Sequence, residues 1–554
     1  MIRLRHILLF LIVMTFVFPS GAQTLEWDWV QHGGGNSKGA GSANYTDLDG
    51  NVYVVGYFYE SITFGSITLT AQNSDYNSLF VVKYDPLHEV LWAYGGQNGQ
   101  ALAVSGAGDG SIYITGWHSG TTTFGNSTFT SNSGSNAFIL KLNSNGNQIW
   151  VKNIHTLPGL YEGNQHGRAI LNAPNGDIYV AGDFSGNTLM IDGSSVENPN
   201  VGCFGDIWFA RFTPSGSLNW IKRMGGYGAD EVAGLAIDGN GDVYMTGNSY
   251  CSTIAVFDTI QHPPSNERFF TAKFAPSGSI YWARFAGNSY ADGVRAIYTD
   301  ADGNSYITGT AWLSNSQDFG NGVSISSHGY KDQFLVKYDN AGTTVWAKSI
   351  GGLQQDDGQG LCVDQWGNIC VAGFTQSPEL ILENDTLPFN GTPMYITRFN
   401  SNGDLISLHT VETPTFCAHI NPSDITSDTY GNLYVVGSYA SDTVLFDNIE
   451  LHKNSGCNGD YFIARLGNPN SVLSVETTHS ALLQLYPNPV SDKLHVLLPD
   501  CADMEVLSID GESILQIMGI NNEQIIDVSN LPNGVYLLRV RSEKGVWVTE
   551  FMKE

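Results

Sequence analysis

The stretch Gly241-Asp242-Val243-Tyr244-Met245-Thr246-Gly247 decides the fold, because the chain carries it in seven versions. The others read GNVYVVG from Gly50, GSIYITG from Gly110, GDIYVAG from Gly176, GNSYITG from Gly303, GNICVAG from Gly367 and GNLYVVG from Gly431. Their central positions are Tyr53, Tyr113, Tyr179, Tyr244, Tyr306, Cys370 and Tyr434, at intervals of 60 to 66 residues. A fixed period of this length marks a repeat architecture.

Each copy sits in a unit of four short phrases. In the fourth unit Val232–Ile237 is an apolar run ended by the turn Asp238-Gly239-Asn240-Gly241, and Asp242 to Asn248 alternates. Phe269–Phe274 forms a third run, Pro276-Ser277-Gly278 turns the chain, and Ile280–Phe285 forms the fourth. The third run always carries a basic residue, namely Lys83, Lys141, Arg211, Lys273, Lys337, Arg398 or Arg465. The fourth is centred on Trp92, Trp150, Trp220, Trp282 or Trp346, with Leu405-Ile406-Ser407-Leu408 as a worn copy. Short strands between Gly, Asp, Asn and Pro turns, repeated with hardly any helical periodicity, predict the blades of a β-propeller.

The chain ends sharpen this expectation. An orphan fourth phrase, Glu26-Trp27-Asp28-Trp29-Val30, precedes the first unit and is followed by Gly34-Gly35, as Trp220 is by Gly225-Gly226 and Trp346 by Gly351-Gly352. The seventh unit ends at Leu466 without a Trp phrase. The reading is an all-β chain: a seven-bladed β-propeller over 23–467, closed by the N-terminal strand, which removes the open edge. The long period is assigned to small hairpins between second and third strands, such as Thr63–Leu69 and Thr123–Phe129. The alternating phrase resembles the bacterial seven-bladed beta-propeller repeat family over roughly residues 23–470, which implies a secreted or surface protein.

Composition agrees with export. Met1-Ile2-Arg3-Leu4-Arg5, the apolar run from Ile7 to Phe18 and the small residues Ser20-Gly21-Ala22 read as a signal peptide over 1–22. The apolar run is shorter than the ~20 residues a bilayer span needs, so no span is expected in the mature chain. Charged residues are 14% of the chain, against about 25% in ordinary domains. The formal net charge is −28, which repels nucleic acid and anionic lipid and suits neutral glycans or divalent cations. A monomer is expected.

The seven cysteines show no CxxC spacing. Cys362 and Cys370 flank the turn at Trp366-Gly367 symmetrically, either as a disulfide or as two small buried apolar groups. Cys203 and Cys457 share a repeat position, with Cys251 and Cys417 as candidate partners.

After a polar linker over 468–483, residues 484–554 alternate as short strands with Pro and Gly turns, which suits a small β-sandwich. The phrases Tyr486-Pro487-Asn488-Pro489, Val506–Gly511 and Asn533-Gly534-Val535-Tyr536 resemble the type A C-terminal sorting domain of the type IX secretion system. That resemblance implies type IX machinery as partner, a Bacteroidetes source, passage across the outer membrane and attachment at the cell surface. The ending Trp547–Glu554 is more acidic than is usual in that family.

Chemistry is harder to read. Gly35-Asn36-Ser37-Lys38-Gly39 fits GxSxG, yet it links two strands rather than a strand and a helix. The 13 histidines contain no metal-ligand pair of the HExxH kind. No cofactor is expected; calcium is the one ion the turns at Asp47, Asp238 and Asp300 resemble, although tight hairpins need the same residues. Asp230, Asp292 and Asp356 each stand eight residues before a turn Asp, with Asn164 equivalent in the third unit and Arg168 and Arg295 slightly deeper. They either cap their own turns or form an acidic arc at the channel mouth that binds a ligand. No catalytic residue is assigned. The leading expectation is a surface-displayed, non-catalytic binding or adhesion module for a glycan, a protein or a cation-bridged partner. A glycan hydrolase or lyase using the arc, and a structural envelope protein, stay open. Phe416-Cys417-Ala418-His419 and the loop Val196–Cys203 depart most from the repeat and are the places to seek specialisation.

Overall fold

The computed structural model describes residues 25–33, 38–73, 76–157, 163–199, 205–250, 255–262, 268–287, 293–312, 316–382, 385–388, 393–411, 413, 419–453, 459–467, 484–497, 502–508, 513–520, 523–542 and 545–554. The expected signal segment and linker lie outside them, as do Asp292, residues 35–37 of the GxSxG stretch, 416–418 and 201–203. So do five cysteines, at 203, 251, 417, 457 and 501. Every regular element among the described residues is a β-strand. The chain divides into two compact units, Met1–Gly467 and Asn468–Glu554.

In the first unit each repeat forms four antiparallel strands in sequence order, as Asp230–Ile237, Val243–Ser249, Phe269–Phe274 and Ile280–Ala286 do in the fourth. Alternation of apolar side chains puts one set on each face of the sheet. Because both faces meet a neighbouring sheet, second and third strands such as Val243–Ser249 and Phe269–Phe274 are buried throughout. The core therefore lies between consecutive sheets, with Phe209 and Ala181 of the third repeat against Met245 and Phe270 of the fourth. In the seventh repeat Ile420–Ser427, Leu433–Tyr439 and Asp460–Gly467 are joined by Glu26–His32, antiparallel to Asp460–Gly467. Val436 and Ile463 of this sheet pack against Val54 and Val82 of the first repeat.

A row of side chains crosses each sheet. Tyr244 lies opposite Lys273, which lies opposite Trp282. The same register sets Tyr53, Lys83 and Trp92 in line, and likewise Tyr434, Arg465 and the N-terminal Trp29. Lysine ammonium groups stand 4.9 to 5.1 Å from the tyrosine ring centres in four repeats. Such cation–π contacts strengthen when water is excluded. Lys273 also reaches Asp238 and Asp242 at 3.0 Å each, with its side chain 5% exposed.

The extra length of the period is the expected hairpin between second and third strands, for example Ser61–Phe64 paired with Ile67–Thr70. Some of these hairpins also pair with the fourth strand of the preceding repeat, as Leu189 and Met190 do with Thr156 and His155. Cys362 and Cys370 are direct cross-strand partners, buried and present as free thiols.

The second unit has a three-stranded and a four-stranded sheet sharing one core that includes Leu494, Val496, Val506, Leu538 and Phe551. Asn488 accepts a bond from the Met552 amide at 2.8 Å, and the Tyr536 hydroxyl donates to the Pro532 carbonyl at 2.8 Å. Tyr486 stacks on His495, and Asn533-Gly534 opens the strand Gly534–Ser542. The motif residues thus hold the ends of this sandwich together.

Lys273→Met leaves the buried carboxylate of Asp238 and the partly buried one of Asp242 without their cation. It is expected to cost about 3 kcal/mol, whereas Lys152→Met, at the half-exposed pair with Asp192, costs under about 1 kcal/mol. Urea unfolding midpoints of the two variants check this; equal midpoints would contradict a structural role for the Lys273 cluster.

Candidate functional site

The first strand of every repeat breaks its pairing with the second once. The register slips between Gly41 and Ala43, Ala101 and Ala103, Gly167 and Ala169, and Val232 and Gly234. It slips again between Val294 and Ala296, Gly358 and Gly360, and Pro422 and Asp424. A bulge leaves one residue unpaired and bends the strand, re-aiming that side chain. The seven residues so released are Ser42, Leu102, Arg168, Ala233, Arg295, Gln359 and Ser423, and all seven line a single cavity of about 210 Å³.

Two of the positions singled out from sequence, Arg168 and Arg295, are therefore on the cavity wall. The Arg168 Nε donates to Asp183 at 2.5 Å, and His166 holds the other oxygen of Asp183 at 2.8 Å. Burial opposes the charge on Arg168, but the Asp183 carboxylate outweighs it and strengthens its hold on the proton. Arg295 is exposed, and none of the described residues hydrogen-bonds to it or pairs with its charge. Asp424, half-buried on the same wall, accepts amide bonds from Asn44 at 3.0 Å and Ile425 at 2.9 Å; desolvation pushes its carboxyl up to about 7.

The aspartates lie elsewhere than an open acidic arc would need. Asp230 and Asp356 begin their strands and are fully buried. Asp230 accepts from the Gly226 amide at 3.0 Å. Asp356 accepts from the Gly352 amide at 2.6 Å, from Ser377 at 2.9 Å and from Thr375. Both act on the turns beside them, so no arc is presented by these two; the physical reason is that the amides of Gly226 and Gly352 stand within hydrogen-bond reach of the carboxylates. Asn164 is exposed and accepts from the Ser135 amide at 3.1 Å, closing a loop. The turn aspartates are occupied as well: Asp47 accepts from the amides of Asp49 and Asn51 and from the side chains of Asn51 and Tyr53.

Sequence reading overlooked the partners of the buried aspartates. Asp206 neighbours Asp230, and Asp332 neighbours Asp356, each with one oxygen that has no hydrogen-bond partner. Burial pushes Asp206 up to about 7 against the Arg223 bond at 2.5 Å, with Asp230 adding to the rise. Asp356 rises to about 6 for the same first cause. Gly225, at φ +131°, passes this pair where a Cβ would stand 2.6 Å from Asp230. The other five bulge residues, Ser42, Leu102, Ala233, Gln359 and Ser423, were missed too, although a signal exists: each stands five residues before the first residue of the following turn.

Comparison with known proteins agrees with both halves of the chain. Residues 484–554 match the family described as a secretion system C-terminal sorting domain, and residues 219–250 match a beta-propeller repeat. The chain is thus exported by the type IX route to the cell surface or beyond. It is 25% identical over 410 residues to an uncharacterized WD repeat-containing protein of Acanthamoeba polyphaga mimivirus, covering 60% of this chain and 29% of that relative's length. Among solved structures it is similar to the Dos1 propeller, with 10% identity, a TM-score of 0.32 and coverage of 82% and 93% of the two chains. It is also similar to PorZ, a surface component of the type-IX secretion system of Porphyromonas gingivalis, at 10% identity and a TM-score of 0.23, covering 93% and 81%. No helix of the described residues is long and apolar enough to cross a membrane.

The buried aspartates make a pH prediction. With its folded pKa about 7 and its ordinary value 3.8, Asp206 keeps a proton in the folded state that the unfolded chain has released. Its contribution to stability therefore falls as pH rises from about 4 to about 7. Asp206→Asn should gain melting temperature relative to the parent between pH 5 and pH 8, by the equivalent of about 1–4 kcal/mol. Parallel melting profiles across that range would mean the carboxyl titrates normally.

Proposed function

We propose that residues 23–467 form a seven-bladed propeller whose last blade takes its fourth strand from the chain start, and that this propeller is a non-catalytic binding module displayed on the cell surface. The pairing of Glu26–His32 with Asp460–Gly467 and the packing of the seventh sheet on the first support the ring. The signal peptide over 1–22 and the sorting domain over 484–554 bracket it, and removal of the latter should strand the protein inside the outer membrane.

One observation carries the binding reading. Across the repeats the row of tyrosine, basic residue and tryptophan is nearly uniform, whereas the seven bulge residues are Ser, Leu, Arg, Ala, Arg, Gln and Ser. Uniform positions serve the scaffold. Positions that converge on one cavity and differ from each other create a recognition surface, since concave sites with a few polar groups favour ligands. The burial of Asp230 and Asp356 favours binding over acid–base hydrolysis, which needs carboxyls open to a substrate.

Filling the cavity tests the reading. Ala233→Trp should abolish capture of glycans on an array, or of partners from outer-membrane extracts, while export and melting temperature stay near those of the parent. Unchanged capture by Ala233→Trp would remove the cavity as the site, and no capture by either protein would leave a structural envelope role.

A further inference from the structure

The wall of the cavity is not symmetric, and its asymmetry indicates a ligand class. Arg168 and Arg295 stand on the first strands of the third and fifth repeats, with Ala233 and Gly234 between them on the fourth. Those two small residues leave the space between the guanidinium-bearing strands clear of long side chains. Across the ring the wall is built from Gln359, Ser423 and Ser42, which offer an amide and two hydroxyls. One side carries the guanidinium groups, and the other offers neutral hydrogen-bonding groups beside the carboxyl of Asp424.

Charge sharpens the reading. The chain has 25 basic and 53 acidic residues, so an arginine has ample opportunity to pair. Arg168 takes it with Asp183, and Glu231 is close enough to act on its charge. Arg295 is exposed on the cavity with no charge partner among the described residues. The one carboxyl on the opposite wall, Asp424, is held by amides of Asn44 and Ile425. A fixed Arg168 beside an uncommitted Arg295 is suited to accept a carboxylate, which guanidinium groups bind in a two-pronged geometry.

We propose, resting on the binding reading above, that the cavity takes a small hydroxylated carboxylate of the size of one uronic acid unit, carried free or at the end of an acidic glycan. The carboxylate faces Arg295 with Arg168 beside it, and the sugar hydroxyls face Gln359, Ser423 and Ser42. A volume of about 210 Å³ exceeds what a bare ion needs and lies below the ~300–1,000 Å³ of pockets for drug-sized ligands.

Titration calorimetry of the full mature protein with glucuronate, glucose and inorganic phosphate tests this. Glucuronate should bind and glucose should not. Arg295→Ala should weaken glucuronate by about ten- to a hundredfold, the loss expected for one hydrogen-bonded charge, with no change in melting temperature. Arg295→Lys should recover part of the affinity, and Gln359→Ala should weaken glucuronate without affecting phosphate. The proposal is overturned if millimolar glucuronate does not bind, or if Arg295→Ala binds it as the parent does. It is also overturned if phosphate binds as tightly with the same dependence on Arg295, which would make the cavity a plain anion site. Should these tests fail while Ala233→Trp still abolishes capture on the array, the binding module stands and only the ligand class is wrong.

Discussion

Across six of the seven sheets a lysine or arginine of the third strand is held between the tyrosine opposite it on the second strand and the tryptophan opposite it on the fourth. The rest of the repeat depends on that charge. A buried cation is costly unless paired, and here the tyrosine ring, the turn carboxylate and neighbouring carbonyls share its neutralisation. In the third repeat Arg211 reaches both Asp177 and the Pro276 carbonyl of the next repeat. The tryptophans extend the link: Trp92, Trp282 and Trp346 donate to carbonyls of Ser144, Asn340 and Ser401, each in the turn of the following repeat. Gly342 at φ +74° occupies such a turn because a Cβ would meet the Trp282 ring at 2.8 Å. Trp29 of the chain start continues the pattern by stacking on His88 in the first repeat, with ring centres 4.2 Å apart.

The sixth repeat shows what happens when the row is worn. Cys370 replaces the tyrosine and Ser407 the tryptophan, and Arg398 compensates locally. It binds Asp364 at 2.5 Å and lies 5.9 Å from the ring of Trp366, an aromatic supplied by the turn itself. The space vacated by the tyrosine is filled by Cys370 against Cys362 as free thiols, one of the two arrangements that their symmetric spacing allowed. The repeat survives loss of its aromatics because the cation keeps a carboxylate and a ring.

Much of the scaffold could be read from the chain because each strand, turn and row residue is dictated locally and repeated. The four phrases, the orphan Trp29 strand and the hairpin insertions all follow from spacing and alternation. The site was legible only in part. Arg168 and Arg295 were found, but the carboxylates at Asp230 and Asp356 were left between a turn role and a place at the mouth, and their side chains are bound by turn amides. Sequence distance put these residues just before the first strand of their repeats, whose first residues they are in the structure. It could not tell on which side of the backbone a carboxylate would find amides, since that depends on Gly226 and Gly352 arriving from the preceding repeat.

The bulge explains how a uniform scaffold can hold a non-uniform site. Side chains that take part in the regular pleat are each packed into the core against one neighbouring sheet, and any change there disturbs that core. The extra residue at each bulge is left out of the ladder and lines the cavity, so its identity is less tied to the packing between sheets. Leu102 and Arg168 can therefore occupy equivalent positions of adjacent repeats with the flanking register intact on both sides. Seven such positions on one wall give the chain a set of side chains that can change at lower cost to the sheets than the pleat residues can. Recognition can be altered there while the tyrosine, the cation and the tryptophan stay as they are.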